Sequence, residues 1–327
     1  MKKIFLIGVC LSLLLLAGCG KQEASAGKEA SAAYPQKEIT MICPWTAGGG
    51  TDSLLRALCR SAEKELGTTI AVSNITGSGG ATGHAAIMKA KPDGYSLGMV
   101  TIELNSLPAE GLANFTYEDF EPLIRVNMDE AALTVRADAP YNTLAEFIAY
   151  AKAHPGEISI GTSARGSSWH MAAALMAQKT GIDVKYVPFE GAVPAVTALE
   201  AGHIQAVSVS AAEVRTQAES GRLKILGVMA EQRNPLFPNV RTFKEQGVDL
   251  VFGTWRGIAL PKGVKPEVKK VLTDAFTKAM QDPEFVDFAQ KNGLTLAYQN
   301  SSQFAEFLAE NAALVDKTME QIGLKKK

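Results

Sequence analysis

Apolar residues along this chain fall into two alternating rhythms. Short runs rich in β-branched residues and Met, among them EITMIC, TIAVSN, YSLGMV, EISIG, DVKYVPF, IQAVSVS and RLKILGVM, have the length and content of strands. Between them lie stretches such as TDSLLRALCRSAEKEL, ATGHAAIMKAK, SSWHMAAALMAQKTG and AVPAVTALEAG, in which apolar positions recur every three or four residues. In the first of these, Leu55, Leu58, Ala62 and Leu66 share a helix face, Arg56, Arg60, Glu63 and Lys64 fall elsewhere, and Gly67 ends it. Strands alternating with helices predict an α/β fold with parallel sheet. Near the end, KPEVKKVLTDAFTKAMQDPEF and SSQFAEFLAENAALVDKTMEQIG predict two long amphipathic helices, the second with Phe304, Leu308, Val315, Met319 and Ile322 toward one face.

The N-terminus breaks this rhythm. MKKIFLIGVCLSLLLLAGCGK carries two lysines and an apolar run from Ile4 to Leu16, shorter than the roughly 20 residues a spanning helix needs but suited to a secretory signal. LAGC resembles a bacterial lipobox, so residues 1–18 read as a lipoprotein signal peptide, Cys19 as the lipidated residue and residues 19–36 as a small-residue tether. The body then begins near Lys37. Of the four cysteines only Cys43 and Cys59 remain in it, too few for a disulfide framework, and Cys59 shares the stripe of Leu55, which predicts buried free thiols. With 33 basic against 34 acidic residues and no charge block, nothing marks a nucleic-acid surface. A length of 327 residues suggests about two domains.

Candidate chemistry sits in the strand-to-helix loops. PWTAGGGTD offers Trp45, Thr46, Ala47, Gly48 and Gly49 ahead of a helix, and GSGGATG offers Gly79, Ala81, Thr82 and Gly83. Glycines expose backbone N–H groups at a helix start, which suits an anion. The first loop lacks the spacing and Lys of a phosphate loop, and Thr82 stands where G-x-G-x-x-G needs glycine, so a nucleotide cofactor is not expected. Asp52 reads as a stabiliser of the first helical turn. GTSARGSSWH invites a hydrolase reading with Ser163 and His170, but Arg165 replaces the last glycine of the nucleophile elbow. As binding groups, Ser163, Ser167 and Ser168 offer hydroxyls, Arg165 a charge, and His170 lies in the same loop. Phe189, Glu190 and Gly191 form either a second-half site loop or a plain turn. Trp45 and Trp255 suit flat cleft walls, Trp255 equally core packing, and Arg256 a second guanidinium. Four scattered histidines, without a Cys cluster, predict no metal site.

Taken together, PWTAGGGTD, GSGGATGHAAIMKAKPDGYSLGMV, GTSARGSSWHMAAALMAQKTG, VPFEGAVPAVTALEAGHIQAV, GRLKILGV and RTFKEQGVDLVFGTWRGIALPKG closely resemble the extracytoplasmic solute receptors of tripartite tricarboxylate transporters, also called Bug receptors. The resemblance implies an α/β, two-domain, periplasmic-binding-protein-like (Venus flytrap) fold with parallel-sheet domains and a hinge, and no catalysis or cofactor. It places a ligand carboxylate against Trp45 to Gly49 and Gly79 to Gly83, with Ser163 to Ser168 and Phe189 to Gly191 closing over it. It divides the chain into residues 37–135 with 256–327, and 136–255. The expected role is a monomeric, lipid-anchored receptor outside the cell membrane that hands an organic carboxylate to membrane permease subunits. Many relatives carry an Asp after the strand that here reads IQAVSVS; Ser208 and Ser210 leave that strand without a carboxylate, which favours di- or tricarboxylates over amino acids. A receptor presenting its ligand to a signalling partner shares these features, and a serine hydrolase would need a working Ser163–His170 pair. Cys19→Ala should abolish lipid attachment without touching the fold; detergent-phase partitioning of the variant is the check, and recovery in the detergent phase refutes the anchor.

Overall fold

The computed structural model describes residues 34–326. The expected signal peptide, Cys19 and the tether up to residue 33 lie outside those residues. The body begins three residues before Lys37, because Tyr34 packs on the ring of Tyr95 and donates to the Gly94 carbonyl at 2.6 Å.

In chain order the elements are β1 (Ile39–Cys43), α1 (Gly50–Leu66), β2 (Ile70–Asn74), α2 (Ala81–Met88), β3 (Ser96–Thr101), α3 (Glu103–Glu110), β4 (Phe120–Arg136), α4 (Leu144–Ala153), β5 (Ser159–Thr162), α5 (Ser168–Thr180), β6 (Lys185–Pro188), α6 (Ala192–Glu200), β7 (Ala206–Ser210), α7 (Arg215–Glu219), β8 (Leu223–Val228), β9 (Gly253–Pro261), α8 (Pro266–Ala279), α9 (Pro283–Lys291), β10 (Leu296–Gln299) and α10 (Ser301–Gln321). The strands run in the order β2-β1-β3-β9-β4-β7-β5-β6, with β8 and β10 also paired to β4. The expected parallel pairs are present, β1 with β2 and β3, and β5 with β6 and β7. Purely parallel sheets are not: β9 lies antiparallel to β3 and β4, and β4 antiparallel to β7, β8 and β10.

The reason is the 17-residue β4. Its first part pairs with β9 as far as Glu130, opposite Gly253, and its second part pairs with β7 from Ala131, opposite Ser210. One strand therefore leaves the first half of the molecule for the second, β9 returns, and two strands crossing in opposite directions side by side are antiparallel.

Each half buries its own core. In the first, α1, α8 and α9 cover one sheet face through Leu54, Leu58, Phe276 and Phe285, while α2, α3 and α10 cover the other through Ile87, Leu107, Phe304 and Met319. In the second, α5 is buried along most of its length around Trp169, Met176 and the Ala172–Ala174 run. Gly67 ends α1 in the left-handed conformation with its N–H on the Glu63 carbonyl. The expected long helix after Lys265 is instead two, because Asp282 caps a new start at Pro283 by accepting from the Glu284 N–H. Trp255 belongs to the core and not to a cleft wall. Alternate residues of a strand face opposite sides, so Trp255 points to α10, where Nε1 donates to Asn311 Oδ1 at 2.9 Å, while Arg256 points away from it. Cys43 and Cys59 are buried and unbridged.

Helix α2 is locked at two adjacent residues. A Cβ on Gly83 would stand 2.5 Å from the Ile75 carbonyl oxygen and 2.6 Å from Pro44 Cα, so only glycine lets α2 approach the end of β1. His84 is fully buried; Nδ1 meets the Gly80 carbonyl at 2.8 Å and Nε2 accepts the Thr101 N–H at 3.3 Å, which fixes a neutral ring. Gly83→Ala should destabilise the body by roughly 1–3 kcal/mol through overpacking, measured by urea unfolding.

Burial pulls the His84 pKa down to about 4, against the opposing pull of the Gly80 carbonyl. The unfolded chain takes its proton below about 6.5 and the folded one does not until near 4. This contribution is full above pH 6.5 and lost as pH falls through that window. The stability advantage of the parent over His84→Gln should therefore shrink by roughly 3 kcal/mol between those pH values, and an unchanged difference would contradict the buried neutral ring.

Candidate functional site

The loop after β1 is shaped by Asp52, in the first turn of α1. Its carboxylate accepts the Gly48 N–H at 2.9 Å, Arg56 Nε at 3.0 Å and Asn74 Nδ2 at 2.8 Å, and Asn74 also donates to the Trp45 carbonyl. Burial pushes the Asp52 pKa up, but the hydrogen bonds from Arg56, Gly48 and Asn74 prevail and hold it below the usual range. Asp52 is thus a clamp for the loop, and its charge is turned away from the cleft. The N-cap, Gly49, lends no side chain, so the first-turn N–H groups of α1 stay open. Helix α6 repeats the device: its N-cap Gly191 also lends none. Gly191 has φ +118° and a Cβ there would stand 2.6 Å from Thr46 Oγ1. The two halves touch here, with two uncapped helix N-termini facing each other.

Between them lies a small cavity of about 30 Å³ lined by, among others, Trp45, Thr46, Gly49, Ser163, Ser168, Gly191 and Arg256. It adjoins an outer cleft of about 280 Å³ through Gly49, Gly50, Ala192 and Glu213, where Val193, Val196, Phe288 and Leu294 add apolar walls. The inner cavity suits a small polar head group and the outer cleft a short organic tail.

Arg256 is 2% exposed. Its Nη1 donates to Asp129 on β4 and its Nε to Thr51 Oγ1 on α1 at 2.8 Å. Nη2 makes no hydrogen bond with the described residues and lies 3.3 Å from where a Gly50 Cβ would stand. Two glutamates line the same cavity. Glu103, the first residue of α3, accepts the Thr101 hydroxyl and, across the cleft, the Ser168 N–H at 3.2 Å. Glu213, just past β7, accepts the Ser210 N–H at 3.0 Å. Burial raises both pKa values; Thr101 and Ser168 oppose this at Glu103, and Arg256 and Ser210 at Glu213. Thr101 also meets His84, so Gly80, His84, Thr101, Glu103 and Ser168 form one hydrogen-bonded chain from the second glycine loop to the opposite half.

Some expected site residues lie elsewhere. Arg165 does not line the site as expected: its side chain is 63% exposed, pairs with Glu110 Oε1 at 2.7 Å and borders neither the inner cavity nor the outer cleft. His170 borders a separate cavity with Tyr186, and its Nδ1 accepts the Gly166 N–H at 2.9 Å. With that lone pair occupied and no contact to Ser163, the pair a hydrolase needs is not formed. Ser167 caps α5, accepting the His170 N–H. Gly79 stands against Ala164 of the other half, with Ala81, Thr82 and Gly83 behind it, so this loop supports closure without lining the cavity. Ala47, Gly48 and Glu190 are exposed, Gly48 at the outer cleft, and Phe189 packs on the second core. Sequence reasoning missed Thr51, Glu103, Asp129 and Glu213. Glu103 and Glu213 had a signal, a carboxylate just beyond the carboxyl end of an inner strand, where open sheets gather ligand groups. The strand β7 indeed carries only Ser208 and Ser210, yet the pocket beside it is acidic. Among the described residues no group of His, Cys, Asp and Glu is arranged to hold a metal ion.

Known proteins resemble this chain in sequence and fold. BugT of Bordetella pertussis is 32% identical over 307 residues, covering 90% of this chain and 93% of its own. The crystal structure of a TctC solute-binding protein from Polaromonas, with no ligand, is 41% identical, covers 88% of this chain and all of its own, and superposes with a TM-score of 0.67. The periplasmic binding protein BugD, at 25% identity with 90% of this chain and all of its own covered, superposes at 0.86. The fold is thus the two-domain α/β fold of periplasmic binding proteins, and its family is one of receptors, not enzymes. The model of the tripartite tricarboxylate transporter family receptor matches residues 54–324, and the chain belongs to that family.

Proposed function

We propose that this protein is an extracytoplasmic receptor that closes over a small organic dicarboxylate and delivers it to the permease of a tripartite tricarboxylate transporter. The observation that carries the reading is the convergence of the uncapped starts of α1 and α6 and the free Nη2 of Arg256 on one small cavity. Open helix N-termini and a buried guanidinium attract a carboxylate and together orient it.

Related folds support the ligand class. An R. palustris structure with adipate is 22% identical, covers 89% of this chain and 99% of its own and has a TM-score of 0.85; MatC from Rhodopseudomonas palustris with bound malate is 23% identical, covers 87% and 99%, and has a TM-score of 0.80. The charge count narrows the class further. With Arg165 paired outside the cleft and Arg256 already facing Asp129, a tricarboxylate has too little positive charge to meet, whereas a linear dicarboxylate places one end at α1 and its carbon chain along Val193, Val196 and Leu294.

The mechanism is hinge closure of residues 136–255 on residues 37–135 and 256–327, with β4 and β9 as the connecting strands. Closure forms Glu103 to Ser168, Thr46 against Gly191 and Gly79 against Ala164, contacts that exist only when the halves meet. In this reading Cys19 carries the lipid that holds a monomeric body at the outer face of the membrane.

Adipate or malate at a hundredfold excess over Kd should stabilise the body by about 2.7 kcal/mol and raise its melting temperature, with acetate and neutral sugars giving much less. A Cβ at Gly49 meets only ordinary contacts, the nearest being the Thr46 carbonyl at 3.4 Å, so Gly49→Val should fold and yet lose most of this shift by filling the cleft. A variant that melts like the parent and responds fully to the ligand would overturn the site.

A further inference from the structure

Glu213 presents one satisfied and one free oxygen. Oε2 accepts the Ser210 N–H at 3.0 Å and the Ser210 hydroxyl at 3.2 Å. Oε1 makes no hydrogen bond with the described residues and lies 3.0 Å from where a Cβ on Gly50 would stand, the same point that Arg256 Nη2 approaches to 3.3 Å. Gly50 is the first residue of α1, so a free carboxylate oxygen, a free guanidinium N–H and an open helix N-terminus all face one spot. Glu213 borders both the inner cavity and the outer cleft, which puts that spot at their junction.

An anion arriving here meets a second anion. The charged groups around Glu213 are Arg256 from β9, Asp129 from β4 and Glu103 at the start of α3; Asp52 on α1 is turned to Arg56 and Asn74. The outer cleft adds no other titratable side chain. Asp129 already balances Arg256, so the guanidinium cannot also neutralise both a ligand carboxylate and Glu213. Two carboxylates within hydrogen-bond reach do not both stay ionised; they share a proton.

We propose that Glu213 is the specificity-determining residue of this cleft and binds a carboxylate ligand together with one proton, Oε1–H donating to the ligand oxygen beside Arg256 Nη2 and the start of α1. The proton comes from solvent on binding and returns to it on release, so no bond other than O–H forms or breaks. Burial already favours the protonated form of Glu213, and the ligand's charge favours it further. Glu103 is excluded as the carrier by its position, since its oxygens are held by the Thr101 hydroxyl and the Ser168 N–H. The inference rests on the carboxylate-receptor reading.

Calorimetric titration of the purified protein with adipate and with malate, in buffers of different ionisation heat from pH 6 to 9, tests it. The expected result is uptake of up to one proton per ligand, with Kd weakening by up to tenfold per pH unit on the alkaline side. In Glu213→Gln an amide N–H takes the place of the protonated oxygen, so uptake should vanish and Kd become flat with pH while binding persists. Glu103→Gln should keep the uptake. Binding by the parent without proton uptake anywhere in this range overturns the proposal, as does full uptake in Glu213→Gln or its loss in Glu103→Gln instead. Failure of the parent to bind any carboxylate would defeat the receptor reading itself, a different and separable outcome.

Discussion

The ion pair between Arg256 and Asp129 is the contact on which the arrangement of this molecule turns. It joins the two strands that cross between the halves, and Arg256 extends the link to Thr51 at the start of α1 while Asp129 accepts the Thr295 N–H ahead of β10. Removing one partner of such a buried pair leaves an uncompensated charge, which costs about 3–5 kcal/mol. The pair therefore registers the crossing strands, the first helix and the cleft floor on one another. It also sets the electrostatics of the cavity, because a guanidinium already facing Asp129 supplies little net charge there.

From this follows a division of labour between side chains and backbone. Loop shape is held by charged and amide groups turned away from the cleft, Asp52 with Arg56 and Asn74. The cleft adds to Arg256, Glu103 and Glu213 the uncapped helix starts at Gly49 and Gly191, where a larger residue would close the approach. The buried line from Gly80 through His84 and Thr101 to Glu103 ties the second glycine loop to the cavity without exposing it to ligand. That loop has a closing role, since it meets Ala164 of the other half.

A neutral buried histidine, His84, lies one hydrogen-bonded residue from Glu103, and Glu103 and Glu213 line the same cavity. Burial outweighs the Gly80 carbonyl at His84, which disfavours its charge, and outweighs Arg256 and Ser210 at Glu213, which favours its protonated form. In the proposed reading, a cleft with so few unpaired charges would recognise its ligand by donor geometry more than by net attraction.

Much of this was legible along the chain. The three- and four-residue period of Leu55, Leu58 and Ala62, the stop at Gly67 and the buried thiols are local properties, set by which residues follow one another. The strand-to-helix alternation likewise determined the α/β class, and the family resemblance the two-domain form. What only the tertiary structure decided depends on residues far apart in the sequence. Arg165 and Arg256 look alike as loop cations; one pairs with Glu110 at the surface and the other with Asp129 in the interior, over separations of 55 and 127 residues. Trp255 and Arg256 are neighbours with opposite fates because a strand sends alternate side chains to opposite faces, and only packing against α10 shows which face is core. Glu103 and Glu213 entered the site for the same reason: a carboxylate beyond a strand end becomes a cleft residue only when the crossing of β4 and β9 brings the two halves face to face.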